Sequence, residues 1–261
     1  MILDDISAYT RLRVKELKKQ KSFYAVRDEA ESRPLGKDFR AALTADGLSI
    51  IAELKKASPS KGVIAPDFEQ IYLAKAKSYA AGGAAAISCL TEPKFFLGSD
   101  AYLTQVRQTV ELPILRKDFT IDEYQIYEAK NLGADAVLLI CSLLSAGQLA
   151  EYLCQVRELG LSALVEAHDA AEAGMAVAAG AEIIGVNNRN LKDFTVNPLN
   201  SLRLREQIPR EKIFVAESGI TQAGDTVALK AAGVQAVLIG EALMRAQNSA
   251  VLLQEMRGER I

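Results

Sequence analysis

Five stretches of this chain run from aliphatic residues straight into groups that hold or move protons. They are Ile50-Ile51-Ala52-Glu53-Leu54-Lys55, Ile114-Leu115-Arg116-Lys117-Asp118, Leu164-Val165-Glu166-Ala167-His168, Val186-Asn187-Asn188-Arg189 and Val215-Ala216-Glu217-Ser218. In an extended segment, residues two apart share a face. Glu53 and Lys55 therefore point the same way, and Lys56 points to the exterior or into the loop. In the second stretch Lys117 is the better inward cation, although alternation alone leaves Arg116 open. Brought together, Lys55, Lys117 and Arg189 would face Glu53, Glu166 and Glu217. A lysine beside a carboxylate, partly buried, is an arrangement that tunes proton donors and acceptors toward neutral pH, which general acid–base chemistry requires. The cations suit an anionic substrate.

Other chemistries are poorly supplied. There is one histidine, His168, so a zinc site built on several histidines is excluded by count, as is most histidine-based nucleophilic catalysis. His168 is followed by Asp-Ala-Ala-Glu and reads as the neighbour of a helix cap, not as a base. Cys89, Cys141 and Cys154 have neither disulfide-framework nor metal-ligand spacing and read as packing residues. Lysines and carboxylates are left to carry the proton transfers. Five charged or amide strand ends gathered on one rim would be costly to desolvate without a polar ligand, which favours a site over five unrelated salt bridges.

The elements that must position these groups repeat. "AAGGAAAISCL" from Ala80, "NLGADAVLLIC" from Asn131, "AAGAEIIGVNN" from Ala178 and "AAGVQAVLIGE" from Ala231 each close a helical pattern with glycine and enter an aliphatic run. Gly83, Gly133, Gly180 and Gly233 lie about fifty residues apart, twice the length of one strand–helix unit, so each interval hides a second strand. Those strands are 49–55, 113–119, 162–168 and 213–219. Helices are expected at 67–81, 99–110, 122–132, 145–159, 169–179, 197–208, 221–232 and 246–256, with Asp122 and Pro198 at helix starts. Eight units whose strands lack a polar face predict a closed (β/α)8 barrel, the TIM-barrel architecture. An open doubly wound sheet is the alternative, but no strand is followed by G-x-G-x-x-G. Residues 1–45 read as an N-terminal helical extension packed across one end, so that 1–261 form one domain.

In such a barrel the active site lies at the C-terminal ends of the strands, often with phosphate between the seventh and eighth. Gly219 follows the seventh strand, and Gly240 follows the eighth and opens a short helix at 241–245. Glu241 in that first turn suits an anion only if its side chain turns away. Ser60, in "SPSKG", offers a hydroxyl from the first loop. Phe95 and Phe96 are either loop anchors or an apolar wall for an aromatic substrate. The net charge of −2 gives no argument for nucleic acid, no apolar run is long enough for a bilayer, and the first residues lack a signal-peptide pattern. A cytoplasmic protein is expected.

The stretches "IIAELKKASPSKG", "SCLTEPKFFLGS", "PILRKDF", "LVEAH", "GVNNRNL", "VAESGI" and "LIGEALM" together resemble the indole-3-glycerol-phosphate synthase family, in order and over nearly the whole chain. The resemblance implies ring closure of 1-(2-carboxyphenylamino)-1-deoxyribulose 5-phosphate with loss of CO2 and water, using neither metal nor organic cofactor. It implies that Lys117 is the general acid and that Glu166 transfers protons during dehydration. Lys55 would bind the substrate's charged groups and is a candidate acid for the later step. Glu53 and Glu217 would orient the lysines, and Asn187 would lie close to the substrate hydroxyls. Arg189, Ser58 and Ser218 match supporting polar residues, and Gly219, Gly240 and Glu241 match the phosphate loops.

Two rivals are weighed. Phosphoribosylanthranilate isomerase uses a cysteine and an aspartate at opposite strand ends, and the first strand here ends in Glu53-Leu54-Lys55. A barrel kept only for binding would have no need of the full acidic and basic set. A monomer is expected.

Overall fold

Strands made almost wholly of aliphatic residues must be covered on both faces, and here that is achieved by closing the sheet on itself. The computed structural model describes residues 2–45, 47–190 and 193–259. The barrel strands are β1 Ser49–Leu54, β2 Ala86–Leu90, β3 Ile114–Lys117, β4 Ala136–Ile140, β5 Ser162–Ala167, β6 Ile183–Asn187, β7 Ile213–Glu217 and β8 Ala236–Ile239. Each pairs in parallel with its sequence neighbours, and β8 closes onto β1 from Ser49↔Ala236 to Ala52↔Ile239. This is the expected (β/α)8 barrel, and the open sheet is ruled out.

Helices α1 Ile2–Gln20, α2 Phe23–Ser32 and α3 Phe39–Ala42 form the N-terminal extension. The outer ring is α4 Phe68–Ala81, α5 Asp100–Thr109, α6 Glu123–Leu132, α7 Ala146–Glu158, α8 Ala170–Ala178, α9 Leu199–Arg205 and α10 Ala223–Ala231, closed by α11 Glu241–Arg245 and α12 Ser249–Arg257. The glycines of the repeat, Gly83, Gly133, Gly180 and Gly233, all take left-handed φ between +76° and +89° at the helix ends. Asp122 caps α6 by accepting from Tyr124 N at 3.0 Å. Inside the loop after β1, which sequence left irregular, Ala57–Ser58 and Gly62–Val63 form a short antiparallel ladder.

Alternation divides the core in two. Ile50, Ala52, Ile114 and Val165 face the helices, whereas Ile51, Leu115, Leu164, Ile183, Val215 and Leu238 fill the barrel. Phe39 and Leu43 of the extension are fully buried in that inner cluster, beside the start of β1, where Ser49 Oγ lies 3.5 Å from Ala42 O. Two residues further along the inward-facing series come Glu53, Lys117, Glu166 and Glu217. These four side chains form the last layer of the barrel interior, laid on an apolar floor.

Helix α1 buries Ile6, Ser7, Thr10 and Val14 along one face and reaches the β3 end of the rim. Arg13 pairs with Asp118 at 2.7 Å and Lys18 with Asp122 at 2.7 Å. Helix α2 leans on α6 through Phe23 and Tyr127, whose rings meet edge-on at 5.5 Å. Among the described residues no helix is long and apolar enough to cross a membrane.

Candidate active site

At the C-terminal mouth of the barrel a cavity of about 660 Å³ is lined by Glu53, Lys55, Lys117, Glu166, Asn187 and Glu217, among others. Lys117 Nζ lies 3.2 Å from Glu166 Oε2 and 3.7 Å from Glu217 Oε2. Asn187 Nδ2 donates to Glu166 Oε1 at 3.3 Å. Across the mouth, Lys55 Nζ pairs with Glu53 Oε1 at 2.6 Å, and Glu53 Oε2 lies 3.5 Å from Ser88 Oγ. All three carboxylates are nearly inaccessible to solvent.

The alternative left open by alternation is settled by what surrounds each side chain. Arg116 turns outward between the strands and the helices, where it pairs with Asp100 at 2.9 Å and Glu128 at 2.8 Å and donates to Gln125 O at 3.2 Å. It is a framework cation. Lys117 follows the inward series of Leu115. Asp118 is likewise committed, accepting from Thr91 Oγ1 at 2.7 Å and from its own loop through Phe119 N at 2.8 Å.

Burial works against the charge on Lys117, but Glu166, Glu217 and Glu53 together outweigh it and hold the ammonium above the usual lysine range. Burial also disfavours the Glu166 carboxylate. There the Lys117 ammonium, then His168 and the Asn187 amide, prevail and hold it well below the usual carboxylate range. Glu217 goes the other way: burial and then the neighbouring Glu166 charge push it up to about 8, with Lys117 only partly opposing. Two carboxylates sharing one ammonium separate into an ionised and a protonated partner. Glu217 Oε1 has no hydrogen-bond partner among the described residues.

The far side of the cavity is formed by two backbone turns. Ser218 and Gly219 turn the chain after β7 with φ of +65° and +80°. Gly240 lets the backbone after β8 come close to the Glu53–Lys55 pair, since a Cβ there would sit 2.4 Å from Glu53 Oε1 and 3.0 Å from Lys55 Nζ. The N–H groups of the first turn of α11 have no acceptor within that helix. Glu241 does turn aside: its carboxylate accepts from Arg245 Nε at 3.1 Å, one turn on. The opposite wall is apolar, with Leu90, Phe96, Phe119, Leu138 and Ile140 from the barrel and Ile2, Leu3 and Ile6 from α1.

Acidic and basic groups over an apolar wall and an anion-type turn suit several phosphate-handling barrels. Residues 3–256 match the family model described as "Indole-3-glycerol phosphate synthase". The chain belongs to that family. A relative with that name from Ruminiclostridium cellulolyticum is 54% identical over 261 residues, covering 99% of each chain. Another, from Endomicrobium trichonymphae, is 52% identical over 259 residues, covering 98% of this chain and 100% of its own. Among solved structures, a 3-hexulose-6-phosphate synthase superposes with a TM-score of 0.64 at 19% identity, covering 81% of this chain and 99% of that one. A thiamine phosphate pyrophosphorylase from Pyrococcus furiosus gives 0.59 at 16%, covering 81% and 94%. At those identities the likeness concerns the barrel alone.

Of the residues expected from sequence to form a synthase site, Glu53, Lys55, Ser58, Ser60, Lys117, Glu166, Asn187, Arg189, Glu217, Ser218, Gly219, Gly240 and Glu241 all line this one cavity. Ser58 and Ser60 sit in the small hairpin with their hydroxyls 3.4 Å apart. Arg189 Nη1 donates to Phe194 O at 3.2 Å, and its backbone N–H donates to Asn187 Oδ1 at 3.0 Å. Phe95 stands apart from this set. It is absent from the cavity lining; its ring packs edge-on against Tyr9 at 6.2 Å, and Phe96 takes the wall position. The cause lies in Glu92, whose buried carboxylate accepts from the N–H groups of Lys94, Phe95 and Phe96 at 3.0, 2.7 and 2.9 Å and so fixes the turn.

His168 is no lining residue, as expected, and the cap of α8 is the next residue, Asp169. Yet the ring is not idle. Nδ1 lies 3.1 Å from Glu172 Oε2, and Nε2 lies 3.3 Å from Glu166 Oε1, an ion-pair distance without hydrogen-bond alignment. Lys56 turns outward to pair with Glu69. The extension was expected across one end of the barrel; which of its residues face the cavity was not identified. The spacing of Ile2, Leu3 and Ile6 marks an apolar face, but says nothing of which surface that face covers.

Proposed function

We propose that this chain carries out the family's decarboxylating ring closure, converting 1-(2-carboxyphenylamino)-1-deoxyribulose 5-phosphate to indole-3-glycerol phosphate, with Lys117 as the acid of the first step. One observation carries the assignment: the Lys117 ammonium sits between Glu166 and Glu217, with the apolar wall on one side and the Ser218–Gly219 and Gly240 turns on the other. The aromatic ring belongs against Phe96 and Ile6, and the phosphate against the turns and Lys55.

In that pose the ring carbon bearing the carboxylate attacks the ribulose carbonyl. The carbonyl oxygen gains charge as the new C–C bond forms, and Lys117 neutralises it and delivers the proton. An alkoxide is more basic than an amine, so a firmly protonated lysine is still a competent donor. The bond to the carboxylate then breaks, and its electrons restore aromaticity as CO2 leaves. No base is needed. Loss of water requires a proton at the new hydroxyl and removal of one from the adjacent ring methylene. Lys55 or reprotonated Lys117 serves the first need and ionised Glu166 the second, with Asn187 holding Glu166 in place. Glu53 fixes Lys55.

Residues 1–45 and the barrel act as one domain in this reading, because α1 completes the aromatic wall. Every group named comes from one chain, so a monomer suffices. A sugar phosphate does not cross an apolar bilayer unaided, so the reaction belongs in the cytoplasm.

The test is indole-ring formation from the carboxyphenylamino-deoxyribulose phosphate, followed by fluorescence, with wild type and Lys117→Ala side by side. The variant is expected to retain KM within a few-fold and to lose about 10²–10⁴-fold in kcat. Binding without product in the wild type would overturn the function, and an active Lys117→Ala would overturn the acid.

A further inference from the structure

Asn188 follows β6, is almost fully buried, and is absent from the cavity lining. Every polar group it owns is engaged. Its side-chain Nδ2 donates to Ser218 O at 3.1 Å, and its Oδ1 accepts from Ser201 N, near the start of α9, at 2.9 Å. Its backbone N–H donates to Glu217 O at 2.9 Å, and its carbonyl accepts from Asn197 N at 2.9 Å. A carbonyl can only accept and an N–H can only donate, so these partners fix which end of the amide is which.

The group that Nδ2 holds is unusual. Ser218 carries a Cβ yet stands at φ +65°, one of only three non-glycine residues at positive φ among those described. Such a conformation persists where the surroundings over-determine it. Gly219 follows at φ +80°. Successive turn residues of this kind curve the chain so that neighbouring N–H groups converge on one side, an anion-binding concavity. Ser218 and Gly219 both line the cavity on its anion side.

We infer that Asn188 is a positioning residue for phosphate recognition: its amide clamps the Ser218 carbonyl and so keeps the Ser218–Gly219 turn in the shape that aims backbone N–H groups at the substrate's phosphate. This rests on the reading above that the phosphate binds beside β7. Without Nδ2, Ser218 relaxes toward ordinary φ, its carbonyl swings, and the following N–H groups swing with it. The loss falls on a part of the substrate that takes no part in bond making, so it appears as weaker uniform binding.

The probe is inorganic phosphate as a competitive inhibitor, measured together with KM and kcat for wild type, Asn188→Ala, Ser218→Gly and the double variant. Asn188→Ala is expected to raise KM and the phosphate inhibition constant about tenfold while kcat stays within about twofold. In the Ser218→Gly background the same change is expected to cost less than about threefold, because glycine holds positive φ without a clamp. A merely structural asparagine would lower the melting temperature equally in both backgrounds and leave KM alone; that result overturns the inference. Phosphate that fails to compete in the wild type removes the phosphate reading and this inference with it. If Asn188→Ala does not fold, Asn188→Asp, which keeps the shape and sets an acceptor against the Ser218 carbonyl, is read in the same way: an unchanged KM overturns the proposal.

Discussion

Gly240→Ala adds one methyl group at the point where the barrel backbone passes closest to the reacting groups. The new Cβ would stand 2.4 Å from Glu53 Oε1 and 3.2 Å from Glu53 Cδ, about 1 Å short of ordinary contact for the nearer atom. Glu53 has little room to recede. Ile51 lies beneath it in the inner cluster, Ser88 touches its other oxygen, and the side chain is 4% exposed. The carboxylate must therefore rotate, and the 2.6 Å pairing with Lys55 is lost or displaced. Overpacking of this kind costs about 1–3 kcal/mol, which for a chain of this size lowers the melting temperature by about 2–12 °C. Misplacing a catalytic pair by about 1 Å costs on the order of 10²-fold in rate. Calorimetry and steady-state fluorescence on one preparation separate the two effects. The expected result is a folded protein with kcat/KM reduced about 10²-fold. A variant within threefold of wild type would refute the claim that the Glu53–Lys55 geometry is fixed by its neighbours and needed for turnover.

Two further outcomes follow from the site. The structure separates Phe96 from Phe95: Phe96→Ala is expected to raise KM about 3–30-fold, whereas Phe95→Ala leaves KM within about twofold and lowers only the melting temperature, and equal effects on KM would contradict the placement of the two rings. The second concerns pH. Burial lowers the His168 affinity for its proton, but Glu166 and Glu172 outweigh it and push the imidazole from 6.5 up to about 10, while Glu217 is pushed from 4.5 up to about 8. Both folded-state values lie above the unfolded ones, so the folded chain keeps protons that the unfolded chain releases, and stability falls with rising pH through 4.5–8 for Glu217 and 6.5–10 for His168. The melting temperature should therefore decline from pH 7 to 10, less steeply above pH 8 in His168→Asn and less steeply below pH 8 in Glu217→Gln; a rise over that interval would reverse the assignment.

Most of the site was legible because it obeys the same alternation as the core. Ile51 and Glu53, Leu115 and Lys117, Leu164 and Glu166, and Val215 and Glu217 are successive inward positions of their strands. Once the strand ends are known, the candidate site residues are the last members of each inward series. Sequence favoured Lys117 over Arg116, but alternation alone did not decide it, because a four-residue strand bordered by loops carries no internal marker of which face is which. What decides it is the set of acceptors waiting outside: Asp100 on α5 and Glu128 on α6, neither adjacent to Arg116 in sequence. Phe95 and Phe96 were indistinguishable for a related reason. Period-two reasoning stops where the strand stops, and the orientation of the pair is set by a single carboxylate accepting three N–H groups.

Glu241 marks the opposite case, where a local rule was available and sufficient. A carboxylate in the first turn of a helix that borders an anion site looks misplaced, yet Arg245 stands four residues on, the spacing at which helical side chains meet. Their pairing at 3.1 Å draws the negative charge toward Arg245, so that in the proposed pose the backbone N–H groups of the first turn are what the phosphate meets. The same division of labour recurs around the cavity. Glu92, Asp118 and Arg116 spend their charge on the framework, and Glu241 is neutralised beside the site. Lys55, Lys117, Glu53, Glu166 and Glu217 are left to act on one another. A barrel can carry so many ionised groups at its mouth because most of them already have partners when the substrate is absent. Glu217 is the least firmly held of them: burial and the Glu166 charge push its carboxyl upward, Lys117 stands 3.7 Å from Oε2, and Oε1 has no hydrogen-bond partner among the described residues. It is the member of the set whose charge the arrival of a ligand is best placed to change, since any group that displaces Lys117 toward Glu217 favours its ionised form.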